Sequence, residues 1–276
     1  MRFSVSNIAL TAFDHAGELA RLPPLGIEGV EVAPSRVWRD TWKGLANSAV
    51  DRYRRTVGDA GLRVVGLHSL LFDQPRLGLF KLPAERAESL DFLEHLSKVC
   101  RDLGGRTLIW GGGRRRGPVA AAAAEAEAIA FMGELARRVE GHGTCFCFEP
   151  LGPNDSDFIN SALESLAIVE AVASPALKVQ LDGKALVENG EATIETFKAV
   201  HSKLAHFHAN EPGLGTLGGS GRVDHAALGA MLKEIGYAGF VSIEQRLSNE
   251  ANPLADVAIS AAVLADCYGG ERSTPA

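Results

Sequence analysis

With 276 residues, 46% of them apolar, the chain can bury one large core and falls near the size of a single (β/α)8 barrel. A formal net charge of -6 argues against a broad phosphate-binding surface, and so against nucleic acid as a partner. No apolar run approaches the roughly 20 residues of a membrane span, and the opening Met-Arg-Phe-Ser-Val-Ser-Asn lacks an apolar signal core, so a cytoplasmic protein with no membrane partner is expected. The cysteines, Cys100, Cys145, Cys147 and Cys267, show no CxxC spacing and need no disulfide in a reducing compartment.

Arg2 to Ser6 reads as a short strand, and Asp14 to Leu22 as a helix stopped by Pro23-Pro24. Gly29 to Ala33 supplies a second strand with Glu31 among apolar neighbours, and a helix from about Ser48 to Ala60 ends at Gly61. Arg63 to His68 is the third strand. Its helix, about Ala84 to Leu103, repeats Leu90, Leu93, Leu96 and Val99 along one face. Arg106 to Trp110 forms the fourth strand and opens into Gly111-Gly-Gly-Arg-Arg-Arg-Gly-Pro118 before an alanine-rich helix reaching Arg138.

The fifth strand is Gly143-Thr-Cys-Phe-Cys-Phe-Glu-Pro150, an apolar run that Pro150 ends by removing a ladder donor. A helix from near Asn160 carries Leu163, Leu166, Ile168 and Val169. Leu177 to Asp182 is the sixth strand, followed by a short helix holding Ile194 and Phe197, and Leu204 to His208 is the seventh. A glycine-rich loop from Gly213 to Gly221 leads to a helix over about Asp224 to Ile235; Phe240 to Glu244 is the eighth strand, and a last helix covers about Leu254 to Ala265. Eight strands alternating with helices predict a (β/α)8 TIM barrel over residues 1–270, one domain, with a frayed tail over 271–276.

Strands five to eight end in Glu149, Asp182, His208 and Glu244. In a closed barrel these ends face one another across the mouth, where ligands bind. Three carboxylates in one small volume repel unless a cation neutralises them, and a set of three oxygens and one nitrogen suits a single divalent ion such as Mn2+, Mg2+ or Co2+, with Zn2+ also compatible. Such an ion beside two glutamates is the equipment for removing a proton next to a carbonyl. Cys145 and Cys147 alternate onto the Glu149 face; small apolar fillers of lower barrel layers are the commoner use of such residues than thiolate ligands.

The sequence also resembles the xylose isomerase-like barrels, the group that holds ketose 3-epimerases, inosose isomerases and dehydratases, hydroxypyruvate isomerase and the apurinic endonucleases. The resemblance covers nearly the whole chain and rests on Glu149-Pro-Leu, Asp157-Phe-Ile-Asn160, Leu181-Asp182, His206-Phe-His208-Ala-Asn-Glu211 and Val241-Ser-Ile-Glu244. The separations, 33 from Glu149 to Asp182 (182 - 149) and 26 from Asp182 to His208 (208 - 182), are similar to those of the ketose 3-epimerases. It implies a metal held by Glu149, Asp182, His208 and Glu244, with Glu149 and Glu244 as the catalytic pair that removes and returns a proton through a cis-enediolate. It further implies that His68 lines the pocket and that Glu31 touches substrate hydroxyls.

The chain departs from those epimerases at Ala185 and Leu214, where they carry a histidine and an arginine that grip the substrate. Other groups must then hold it, and the candidates are Arg246, Lys184, Arg114, Trp110 and Glu211. Arg246 shares a face with Glu244, Lys184 follows Asp182, and the arginine triplet resembles that of a branch described as sugar phosphate isomerases or epimerases; inward cations would favour an anionic sugar. Trp110 reads as an apolar wall or as ordinary core, and Glu211 as a support for His208 or its loop.

The combined expectation is a metal-dependent isomerase or epimerase acting on a small keto-sugar or sugar derivative, with self-association as its possible protein contact. The competing chemistry is a dehydratase or lyase of the same fold, similar to inosose dehydratases or keto-glycoside eliminases. An apurinic endonuclease is disfavoured by the acidic chain and by Ala185, Trp110 and Gly111 where further metal ligands belong; a non-catalytic sugar-binding barrel is disfavoured by the presence of both glutamates.

Overall fold

The computed structural model describes residues 1–269, so the expected tail over 271–276 lies outside the described residues. All the predicted strands form: β1 (Arg2–Ser6), β2 (Gly29–Val32), β3 (Arg63–Leu67), β4 (Thr107–Trp110), β5 (Cys145–Phe148), β6 (Leu177–Asp182), β7 (Leu204–Asn210) and β8 (Phe240–Glu244). They pair in chain order, in parallel, and β8 closes against β1. The helices outside are α1 (Ala16–Leu19), α2 (Asn47–Asp59), α3 (Pro83–Leu103), α4 (Ala121–Val139), α5 (Ala162–Val172), α6 (Gly183–Glu188), α7 (Ile194–Val200), α8 (His225–Glu234) and α9 (Leu254–Val263).

Local chemistry sets most of these ends. Pro83 opens α3 and Gly104, left-handed at φ 87, closes it. Ser161 and Glu164 form a reciprocal cap at the start of α5. Two elements differ from expectation. α1 is one turn: His15 is its N-cap, the ring bonded to the Thr11 carbonyl at 2.9 Å and the Tyr53 hydroxyl at 2.8 Å, and past Leu19 the chain tightens into turns in which the Arg21 N–H donates to the Glu18 carbonyl and the Leu22 N–H to that of Leu19. α6 was not anticipated: Asp182 ends β6 and at once caps α6, its Oδ1 accepting the Ala185 N–H at 2.8 Å.

The strands are buried on both faces, yet the faces differ in kind. The outward set, including Val5, Val32, Leu67, Trp110, Phe148, Leu181, Phe207 and Ile243, packs apolar against the helices. Period-two alternation from the mouth residues puts Ser4, Ser6, Glu31, His68, Cys147, Gln180, His206 and Ser242 on the inner face, all essentially inaccessible to solvent. The barrel interior is thus a polar column beneath the mouth, in place of the branched apolar layers usual for the fold. Cys145 and Cys147 stand in it as free thiols, their sulfurs 4.0 Å apart.

Small residues let the barrel close. A Cβ on Gly66 would collide with the Thr107 carbonyl where β3 meets β4, whereas a Cβ on Gly58 in α2 would meet nothing within 4 Å. Gly66→Ala should therefore lower the urea unfolding free energy by about 3 kcal/mol, while Gly58→Ala raises it by up to about 1 kcal/mol. Equal effects of the two substitutions would contradict this packing.

Candidate active site

Each of the four predicted strand ends delivers its side chain to one point. Glu149 follows β5 directly, its N–H bonded to the Trp110 carbonyl at 3.3 Å, so the carboxylate emerges where the sheet stops. Glu149, Asp182, His208 and Glu244 each bring a ligand atom to within 4.8 Å of the others. His208 Nδ1 is the hub, 3.3 Å from Glu149, 3.4 Å from Glu244 and 4.0 Å from Asp182. That nitrogen is buried and has no hydrogen-bond partner. An orphaned imidazole nitrogen among three carboxylates fits a hard divalent cation, and these four residues would hold it.

The ion-free electrostatics show the strain of this arrangement. Burial, then Glu149 and Glu244, push the Asp182 carboxyl up to about 8. Glu244 stays below the usual carboxylate range, because His208 and His68 outweigh the burial that would raise it. His208 is held well above its ordinary value despite burial, by Glu31 and Glu244.

Asn210, which carried no role in the sequence reading, organises the carboxylates. It lies two residues beyond His208 on β7 and so on the same face. Its amide nitrogen donates to Asp182 and, at 2.9 Å, to Glu244, and its oxygen accepts the Lys184 N–H at 2.9 Å. Both Asp182 oxygens are thereby engaged, by Ala185 and by Asn210.

His68 closes one side of the site, bonded to the Ser6 hydroxyl through Nε2 at 2.5 Å, with Nδ1 3.5 Å from Glu244. It borders a cavity of about 440 Å³ with Leu70, Leu71, Phe72 and Ile109, a mostly apolar lobe. On the other side a cavity of about 280 Å³ is lined by Asp155, Lys184, Asn210 and Arg246. Glu149 and Glu244 border both. Lys184 is tied to Asp155 and lies 3.4 Å from Glu188. Arg246 is exposed at the rim, and Leu214 lines the same lobe.

Glu31 and Arg114 stand elsewhere than expected, while Trp110 lies in wall and core and Glu211 on its loop. Glu31 lies below the mouth at 0% exposure, accepting from His208 Nε2 at 2.9 Å and Ser242 at 3.0 Å, with His206 Nε2 at 3.2 Å; no substrate hydroxyl reaches it there. Those two histidines keep its carboxyl well below the usual range against complete burial. Arg114 is equally buried, its guanidinium donating to the carbonyls of Gly111 (2.6 Å), Ile159 (3.0 Å), Phe158 and Glu149. With Arg115 on the Asn154 carbonyl and Arg116 on that of Asp157, the triplet straps the β4 loop to the β5 loop. Trp110 touches the cleft wall but packs its indole on Phe131 of α4 and on Phe148, with Nε1 on the Gly112 carbonyl. Glu211 holds the glycine-rich loop, accepting from the Gly218 N–H at 2.8 Å and from Ser220, with His225 at 3.2 Å.

Gly111 has a steric role at the mouth: a Cβ there would strike Glu149 Oε2. No side chain, and so no further ligand, fits at the end of β4 while Glu149 keeps its place.

Because Asp182 titrates near 8, above an ordinary aspartate, its proton stabilises the ion-free fold at low pH, and that stabilisation is lost as pH rises through about 8. A divalent ion bound here must expel this proton and one from His208. Titration calorimetry in two buffers of different ionisation enthalpy should find about one to two protons released per ion at pH 7 and fewer at pH 9. Binding with no release at pH 7 would contradict the arrangement.

The family model for the xylose isomerase-like TIM barrel matches residues 19–267. An L-ribulose 3-epimerase of Methylomonas sp. (strain DH-1) is 30% identical over 177 residues, 62% of this chain and 60% of that protein's length. A solved L-ribulose 3-epimerase superposes with a TM-score of 0.81 at 20% identity, covering 99% of each chain. A probable 3-DHS dehydratase from Bacillus anthracis does so with a TM-score of 0.73 at 14% identity, over 96% of this chain and 98% of its own. At such identities the structural likeness is one of fold. Among the described residues no helix is long and apolar enough to cross a membrane. With the match running from residue 19 to residue 267, the chain belongs to the xylose isomerase-like TIM barrel family.

Proposed function

We propose that this chain is a divalent-metal-dependent isomerase or epimerase of a small keto-sugar or sugar derivative, acting by proton transfer between Glu149, Glu244 and a carbon beside the carbonyl. The observation that carries this is the placement of two glutamates, 3.3 and 3.4 Å from the same ring nitrogen of His208, each open to a cavity. A bound divalent cation would supply neutralisation of the charge that develops on the carbonyl oxygen as the proton leaves.

The three carboxylates are not equivalent. Asp182 has both oxygens fixed by the Ala185 N–H and Asn210, which suits a ligand and leaves it unable to swing toward a substrate. Glu149 has no hydrogen-bond donor on its carboxylate among the described residues, lying only 3.3 Å from the orphaned His208 Nδ1, and bare Gly111 beside Oε2 leaves that oxygen approachable. Glu244 stays ionised and is aimed by Asn210 on one oxygen and His68 near the other. One glutamate takes the proton and the other returns it from the opposite side, which inverts the carbon.

The polar lobe supports an anionic substrate such as a sugar acid or phosphate. Lys184 is already paired, whereas Arg246 has no side-chain partner among the described residues. A second reading, β-elimination in the same site, is supported by His68, whose ring stands on the cavity wall next to Glu244 and could protonate a leaving oxygen.

The test is solvent deuterium uptake: metal-loaded protein in D2O with ketoses, inososes, keto-sugar acids and phosphates, beside Glu149→Gln and Glu244→Gln. Exchange at a carbon next to the carbonyl, cut at least 100-fold by either substitution or by chelation, is the expected result. Deuterium entering only with loss of water or an aglycone favours elimination. Exchange undiminished in both variants contradicts the assignment.

A further inference from the structure

His208 is held from two sides, and only one of them can be metal. Its Nδ1 points up into the carboxylate cluster, while its Nε2 points down to Glu31 Oε2 at 2.9 Å, an oxygen that also receives the Ser242 hydroxyl at 3.0 Å. Glu31 and His208 are both 0% exposed, so no water competes for these contacts. A buried carboxylate accepts and cannot donate, so the Glu31 contact requires a hydrogen on Nε2. Neutral imidazole carries one N–H, and the lone pair then belongs to Nδ1, the nitrogen that faces Glu149, Asp182 and Glu244.

Taking the metal reading of the mouth as given, we propose that Glu31 is a positioning residue: from inside the barrel it fixes the tautomer and ring orientation of His208, keeping the Nδ1 lone pair aimed at the bound ion. The same carboxylate strengthens Nδ1 as a donor, because negative charge at Nε2–H pushes electron density across the ring.

Glu31, His206 and His208 also lie close enough together to suggest a second, deeper ion. The donor chemistry argues against it. His208 would have to bridge two ions as an imidazolate, one carboxylate would face two positive charges, and the site has no opening to solvent. His208 and Ser242 engage Oε2 through their hydrogens and His206 Nε2 faces Oε1 at 3.2 Å, at far lower cost.

The test measures Mn2+ binding and the state of the ring, not turnover. Mn2+ titration followed by the electron paramagnetic resonance of the free ion should give one ion per chain, bound roughly 10- to 100-fold more weakly by Glu31→Gln than by the unsubstituted chain. In the unsubstituted chain, 15N-labelled at histidine and loaded with Mg2+, long-range 1H–15N spectra should show His208 with hydrogen on Nε2 and none on Nδ1, its signals assigned by their loss in His208→Gln. This readout stands even where Glu31→Gln fails to fold. Hydrogen on Nδ1, unchanged Mn2+ affinity in a folded Glu31→Gln chain, or a second tightly bound ion would each overturn the inference. An unsubstituted chain that binds no divalent ion would overturn the metal reading itself, a different failure.

Discussion

The constraint on which the site depends is the gathering of three carboxylates around one buried imidazole nitrogen at the barrel mouth. Two unit charges about 4 Å apart at an effective dielectric constant near 20 repel by roughly 4 kcal/mol, so three such groups cannot all stay ionised without a compensating charge. Burial and the neighbouring carboxylates push the Asp182 carboxyl up to about 8, and Glu31 and Glu244 hold His208 well above its ordinary value, both of which lower the repulsion. The surrounding structure holds that tension in place: Asn210 spans Asp182 and Glu244, Gly111 leaves room for Glu149, and Arg114 anchors the backbone just beneath Glu149. A barrel built only for stability would not concentrate like charge at one end.

The polar column below the mouth extends the same logic inward. Strands with apolar outer faces and hydrophilic or small inner ones confine hydrophobic packing to the layer between strands and helices, where Trp110, Phe131, Phe148 and Phe207 sit. The interior is then free to carry Glu31, His206, Gln180 and Ser242 beneath the mouth. The loop strap works from outside in a parallel way: the arginine triplet of the β4 loop and Asn160, whose amide reaches the carbonyls of Leu151 at 2.8 Å and Ser156 at 3.0 Å, fix the segment that follows Glu149. Rigid walls on both sides suit a reaction that needs two bases held at fixed positions.

Much of this was legible in the sequence because strand ends announce themselves. Glu149 stands between an apolar run and a proline, and Asp182, His208 and Glu244 close runs of the same kind, so placing them at one mouth needed only the alternation of strands and helices. What stayed hidden depended on depth and partner choice. Glu31 belongs to a strand whose pairing slips between Val30 and Glu31, and the level at which it enters the barrel follows from that register. Three consecutive arginines do not reveal which one folds inward; the turn at Gly111 to Gly113 decides it, sending Arg114 to the carbonyls. Asn210 was passed over because β7 runs two residues further than its apolar pattern suggests, and because a neutral amide carries no metal-site signature. Glu211 reads in the sequence as a support for His208 or its loop, and the loop is what it holds.

What most needs testing is whether Glu149, Asp182, His208 and Glu244 form one cation site. Anomalous diffraction from crystals grown with Mn2+, recorded at the manganese edge, tests it without any substrate. A single strong peak is expected within roughly 2.0–2.3 Å of oxygens from all three carboxylates and of His208 Nδ1. A peak among Glu31, His206 and His208 instead, or an ordered structure in saturating Mn2+ with no peak at the mouth, would contradict it.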